Sequence, residues 1–173
     1  MRRLVPLAVP LLLLVLILII PLGASAGQSA GNGPNFDKVD GTLYDLGPTA
    51  LHVNAYSDPG GANPGGHFWY RSQQTNFESD LVGDVTCVNV FAPDRAWVGG
   101  RIDRSKMPGF PGEGNGVLFL IVDTGEPADA NTLFPDSHAD FYLASPPTTC
   151  PAAQAVYYFP YKSGNFVVFE ATP

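Results

Sequence analysis

The sequence predicts an all-β protein: a single antiparallel β-sandwich or closed barrel of about eight strands, held by one disulfide. Three observations lead there. Gly or Pro interrupts every stretch longer than ten residues except 67–82, which leaves little room for amphipathic helices. The runs between these breaks are short, rich in β-branched and aromatic residues, and bounded by turn residues. Two cysteines, Cys87 and Cys150, sit in a chain with an export leader, the context in which an even count pairs.

The leader comes first in the chain. Met1-Arg2-Arg3 is basic, every residue from Leu4 to Leu22 is apolar or Pro, and Ala24-Ser25-Ala26 has the small-residue pattern of a cleavage site. Residues 1–26 are therefore read as a signal peptide. The protein is expected to be secreted, with no stable membrane span after cleavage. The alternative is an anchor formed by an uncleaved N-terminal helix, because those 19 residues approach the roughly 20 that cross a bilayer. Residues 27–46 read as a flexible N-terminal segment without an apolar pattern, and 47–173 as the β domain.

Within that domain, Leu51–Tyr56 alternates between apolar and polar residues and ends at the turn residues 58–61 and 63–66. His67–Arg71 is the next run, and Ser72–Asn76 is a polar break. In Asp84–Val90, strict alternation places Val85 and Cys87 on one face and Thr86 and Val88 on the other. Pro93-Asp94 turns the chain into Ala96–Val98 and Ile102. A Pro/Gly-rich loop, 107–116, leads to Val117–Val122, the most continuous apolar run and the best candidate for a strand buried on both faces. Asp140–Leu143, Val156–Phe159 and Phe166–Phe169 complete the set, the last after a turn at Ser163-Gly164-Asn165.

Composition narrows the function. Removing Arg2 and Arg3 with the leader leaves seven basic against 16 acidic residues, a net charge of −9. That balance excludes nucleic acid as a partner, since phosphates call for a basic footprint. Closing the loop of about 64 residues between Cys87 and Cys150 stabilises by roughly 4 kcal/mol. The cysteines lack the C-x-x-C spacing of a redox pair, so the bond is structural.

In order and spacing, Val85-x-Cys87-x-x-Val90, Ala96-x-x-Gly99-Gly100-x-Ile102, Val122-Asp123-x-Gly125-Glu126-Pro127 and Gly164-Asn165-Phe166-Val167-Val168 carry a resemblance over roughly residues 47–170. The chain resembles a group of uncharacterised secreted bacterial proteins with a signal peptide and one small β domain. Thr124 stands where such proteins often carry Asn after the strand-end Asp. The resemblance implies export and a β fold, and it assigns no catalytic residue.

Several constellations have the residue types for chemistry. Asp123, Glu126, Asp129 and Asp136 form an acidic stretch able to offer oxygens to calcium, although its spacing is not that of an EF-hand. The bland reading is a solvated loop in which Asp123 caps a turn. His52, His67 and His138 lack zinc-motif spacing, so they serve a metal only if the fold gathers them. Gly27-Gln28-Ser29-Ala30-Gly31 matches a nucleophile motif without the strand that motif needs, and no carboxylate pair is singled out for glycoside cleavage. Trp69 and Tyr157 are the candidate ligand contacts, as exposed rings on a sheet stack against sugars or line a cavity; the competing reading is core filling. The expected function is a non-enzymatic secreted β module, structural or ligand-binding, with no cofactor apart from the candidate calcium. The alternatives are a secreted hydrolase and a barrel carrying a small apolar ligand.

Overall fold

Alternation of side chains along nine strands builds one curled antiparallel sheet, a half-barrel without α-helices among the described residues. The computed structural model describes residues 35–44, 49–74, 77–107, 109–125, 136–153, 159–160 and 163–171. The strands are β1 (Asp37–Tyr44), β2 (Ala50–Asp58), β3 (Ala62–Gln74), β4 (Phe77–Ala92), β5 (Arg95–Ser105), β6 (Gly116–Val122), β7 (Ser137–Leu143), β8 (Phe159–Pro160) and β9 (Ser163–Phe169). They lie in the order β8-β7-β6-β5-β4-β3-β2-β1-β9, so every neighbouring pair but one is joined by consecutive chain. The exception is β9, which returns to pair with β1. All described residues fall in one unit, Asn32–Pro173.

The concave face holds the main core. Val39 and Leu43, Leu51 and Val53, Phe68, Leu81, Val98, Ile102, Phe119 and Phe166 pack there, each fully or almost fully buried. Phe68 meets Phe119 edge-on with ring centroids 5.2 Å apart, a favoured geometry for aromatic pairs. In β6 all seven residues are buried, as its unbroken apolar run predicts. Val117, Phe119 and Ile121 face the concave core, while Leu118 and Leu120 join Cys87, Trp97 and Ala139 on the convex side.

That convex patch is covered by the segment 144–153, which runs across it and is pinned at Cys150. The Cys87–Cys150 disulfide is formed, with Cα atoms 5.4 Å apart. Thr86 Oγ1 donates to the Pro147 carbonyl at 2.6 Å, and Asn89 Nδ2 to that of Pro151 at 2.7 Å. These contacts need Thr86, Cys87 and Asn89 to face the same way. A register shift between Val85 and Cys87 makes Thr86 the extra residue of a bulge. It reverses the alternation there, so Val85 and Val88 both reach the core and Cys87 points outward. The sequence expectation of strict alternation through Cys87 fails for this reason.

Two further expectations are corrected. β1 occupies part of the segment read as flexible, so the sheet begins at Asp37 rather than at 47. Its inward row is Val39, Gly41 and Leu43, and the Phe166 ring of β9 fills the space above Gly41. A Cβ there would collide with the Asn165 carbonyl oxygen. The residues Asn63–Gly66, read as a turn, instead belong to β3, whose hairpin with β2 turns at the short 3-10 segment Pro59–Gly61. The leader, residues 1–26, lies outside the described residues. No described helix is long and apolar enough to cross a membrane.

Candidate ligand-binding face

Around Cys87, Trp97, Leu118 and Leu120 the convex surface is apolar and covered, while Asp84, Arg101 and Asp103 farther along β4 and β5 are charged and exposed. Over β1–β3 the same surface is polar, aromatic and partly exposed, because the outward positions there carry Lys38, Asp40 and Thr42, then His52, Asn54 and Tyr56, then His67, Trp69 and Arg71. The ladder sets them in rows. Thr42 stands opposite His52 and His52 opposite Trp69; Asp40 stands opposite Asn54 and Asn54 opposite His67. Cross-strand neighbours of this kind are close enough to interact directly.

They do so. Thr42 Oγ1 and His52 Nδ1 are 2.8 Å apart, and Asn54 Nδ2 donates to Asp40 Oδ1 at 3.1 Å. Lys38 Nζ reaches Asp40 Oδ2 at 3.0 Å. The rings of His52 and Trp69 stack, 5.6 Å between centroids and 17° between planes, and His52 lies 5.6 Å from His67. Burial, and then the charge of His67, hold the His52 imidazole below its ordinary value. Burial on its own would raise the Asp40 carboxyl, but the bonds from Lys38 and Asn54 outweigh it and leave the group lowered. At neutral pH this face therefore carries neutral His52 beside a lysine–aspartate pair.

Tyr56 marks one end of the face. It is 49% exposed and stands opposite Gly65. A Cβ on Gly65 would lie 2.8 Å from both Cζ and Oη of Tyr56, so the phenol end of the ring crosses directly over the glycine. Gly65 thus lets the ring lie down on the strand. Around it opens a hollow of about 630 Å³ lined by Phe36, Lys38, Asn54, Asp58 and Asn63. That volume lies within the roughly 300–1,000 Å³ of small-molecule sites.

Of the residues singled out in the sequence, Trp69 lies on this face. Its strand neighbours Phe68 and Tyr70 turn inward, so it lines no interior. Tyr157 lies outside the described residues. Of the histidines, the fold brings His52 and His67 together and sends His138 to β7. Tyr56 was not singled out; the outward alternation of His52, Asn54 and Tyr56 was the available signal.

The acidic stretch divides. Glu126 and Asp129 lie outside the described residues. Asp123 and Asp136 direct their oxygens at backbone amides. Asp136, fully buried, accepts from Thr124 N at 2.9 Å, Thr124 Oγ1 at 3.0 Å and Phe166 N at 2.6 Å. Asp123 accepts from Gly125 N at 2.8 Å and Val168 N at 2.9 Å. Phe166 and Val168 point these amides away from β1, across the opening of the half-barrel, so the two carboxylates bridge β9 to the ends of β6 and β7. Burial raises the Asp136 carboxyl in spite of the amide bonds that favour its charged form. Among the described residues no group of three or more His, Cys, Asp or Glu is gathered to hold a metal ion.

One His–carboxylate contact lies elsewhere, on the concave side of β7. His138 Nε2 is 3.6 Å from Asp140 Oδ1, and His138 is 4% exposed. Burial alone would raise Asp140, but bonds from His138 and Tyr142 leave it lowered. His138 is shielded from solvent, while Asp140 keeps part of its side chain exposed. Comparison with family models, with curated proteins and with solved structures finds no match to this chain.

Proposed function

We propose that the protein is an exported, non-enzymatic β module that binds a ligand outside the cell through the convex face of β1–β3. The observation that carries this reading is the contrast between two parts of that surface. One part is sealed by a disulfide-pinned segment, and another aligns half-buried Trp69, His52 and Asn54 with exposed Tyr56 and His67. Cross-strand pairs of this kind also stabilise a sheet; what favours binding is the exposed Tyr56 ring beside a hollow of small-molecule size. Export is supported by the leader-like start of the chain and by the disulfide, a bond of oxidising compartments.

The apolar-carrier reading has less support, because Phe68, Phe119 and Phe166 fill the concave side and Trp69 points away from it. The hydrolase reading has the His138–Asp140 contact, in which His138 is buried and Asp140 partly exposed, with no further catalytic group set beside it by the observations above. The test compares the mature protein with Trp69→Ala for co-sedimentation with envelope and matrix material of its native source. The native protein sediments and the folded variant stays in solution. Equal behaviour of the two, in either fraction, overturns the reading.

A further inference from the structure

We infer that the ligand of this face is a neutral oligosaccharide laid along β2, with Tyr56 and the Trp69–His52 stack as its ring platforms. The inference rests on the binding-face reading above and adds the class of ligand.

Three features select a sugar. The first is the disposition of the rings. Tyr56 lies over Gly65 with half its surface open, and an exposed ring face is what the C–H side of a pyranose packs against. His52 and Tyr56 are four residues apart on one strand, so the two platforms stand about 13 Å apart, more than one sugar ring and within reach of a short chain.

The second feature is the polar lining. Sugar hydroxyls both donate and accept, so a sugar site mixes the two functions at close range. Between and around the platforms the face offers the Asn54 amide, the carboxylates of Asp40 and Asp58, the Asn63 amide and the Lys38 ammonium. Asn63 Nδ2 holds Asp58 Oδ2 at 2.6 Å, and Asn54 holds Asp40. These bonds fix the side chains in place and leave further lone pairs and N–H groups for a ligand, which lowers the cost of ordering on binding.

The third feature is charge. Lys38 is already paired with Asp40, and Asp58 adds a negative charge to the hollow. In a mature chain of net charge −9, an anionic ligand meets repulsion in the hollow beside Tyr56, and Arg71, a cation without an ion pair among the described residues, stands beyond Trp69 at the far end of the face. An apolar ligand would bury amides and carboxylates without partners. A neutral, hydroxylated ligand meets neither penalty.

The test uses neutral hexasaccharides (β-1,4-, β-1,3- and α-1,4-linked glucose and β-1,4-linked N-acetylglucosamine), with a heparin-derived hexasaccharide and decanoate as contrasts. Tryptophan fluorescence reports on the site: Trp97 is 2% exposed, so a ligand-dependent change comes from Trp69. At least one neutral hexasaccharide shifts the emission. Tyr56→Ala weakens that binding about tenfold or more, and so does Gly65→Ala, which pushes the ring off the strand while leaving the fold intact by circular dichroism. Undiminished binding by both folded variants overturns the site. A response to the heparin fragment alone overturns the neutral charge of the ligand, a response to decanoate alone overturns the sugar class, and either leaves the binding face standing. No response to any probe counts against both.

Discussion

Replacing Asp136 tests how the open side of the half-barrel is held. Along one edge β9 pairs with β1; along the other, its Phe166 and Val168 amides meet Asp136 and Asp123 instead of a strand. Asp136→Ala removes three hydrogen bonds to a charged acceptor, each of which contributes about 1.5–3 kcal/mol, and leaves the Phe166 N–H buried without its acceptor. Removing the carboxylate also relieves the desolvation that raises its titration, so the net loss is about 3–4 kcal/mol. For a domain of this length that lowers the melting temperature by roughly 10 °C. Asp136→Asn keeps one oxygen but turns an NH₂ group towards one amide, so it costs about 1–2 kcal/mol. Linkage gives a second signature. A carboxyl raised above 3.8 in the folded state loses stability as pH climbs from that value through the folded one, so the gap between native protein and either variant narrows over that window. Urea unfolding followed by circular dichroism measures the losses, and amide exchange at Phe166 locates them. An alanine variant within about 1 kcal/mol of the native protein, or an unchanged Phe166 exchange rate, refutes the bridging role.

Other outcomes follow from the same structure. Denatured, unreduced protein shows no thiol reactive to a colorimetric reagent, and the double variant Cys87→Ala, Cys150→Ala loses roughly 4 kcal/mol; two free thiols would contradict the bond. The depressed His52 contributes stability that is fully present above its unfolded value of 6.5 and is lost as pH falls through the folded one. His52→Gln therefore flattens the melting profile as pH falls below 6.5, and an unaltered profile counts against the coupling of His52 to burial and His67. A chelator leaves the melting temperature unchanged, because Asp123 and Asp136 are satisfied by amides; a clear drop would restore an ion to the acidic stretch.

How much of this was legible depends on whether the signal was local. β6 was readable because six apolar residues in a row, Val117–Val122, need two covered faces, and β2 because its alternation is unbroken. β1 was not, since its inward row contains Gly41, whose missing side chain is supplied by Phe166 from the other end of the domain. Gly65 and Gly66 read as a turn for a similar reason: the Tyr56 ring that covers Gly65 comes from the neighbouring strand. The bulge at Thr86 carries no residue signature and reverses the faces around Cys87. At the site, Trp69 stood out by type, whereas the pairing of His52 with His67 and of Asn54 with Asp40 depends on register. Asp123 and Asp136 show the limit of composition: a carboxylate oxygen serves an ion and an amide equally well, and only position decides between them.

The most direct measurement is a backbone-amide NMR map of the mature domain as solubilised envelope material from its native source is added. Perturbations concentrated on Lys38–Thr42, His52–Tyr56 and Gly65–Trp69 are expected. Perturbations centred on the concave side around His138 and Asp140, or a spectrum that does not change, would contradict binding at the convex face.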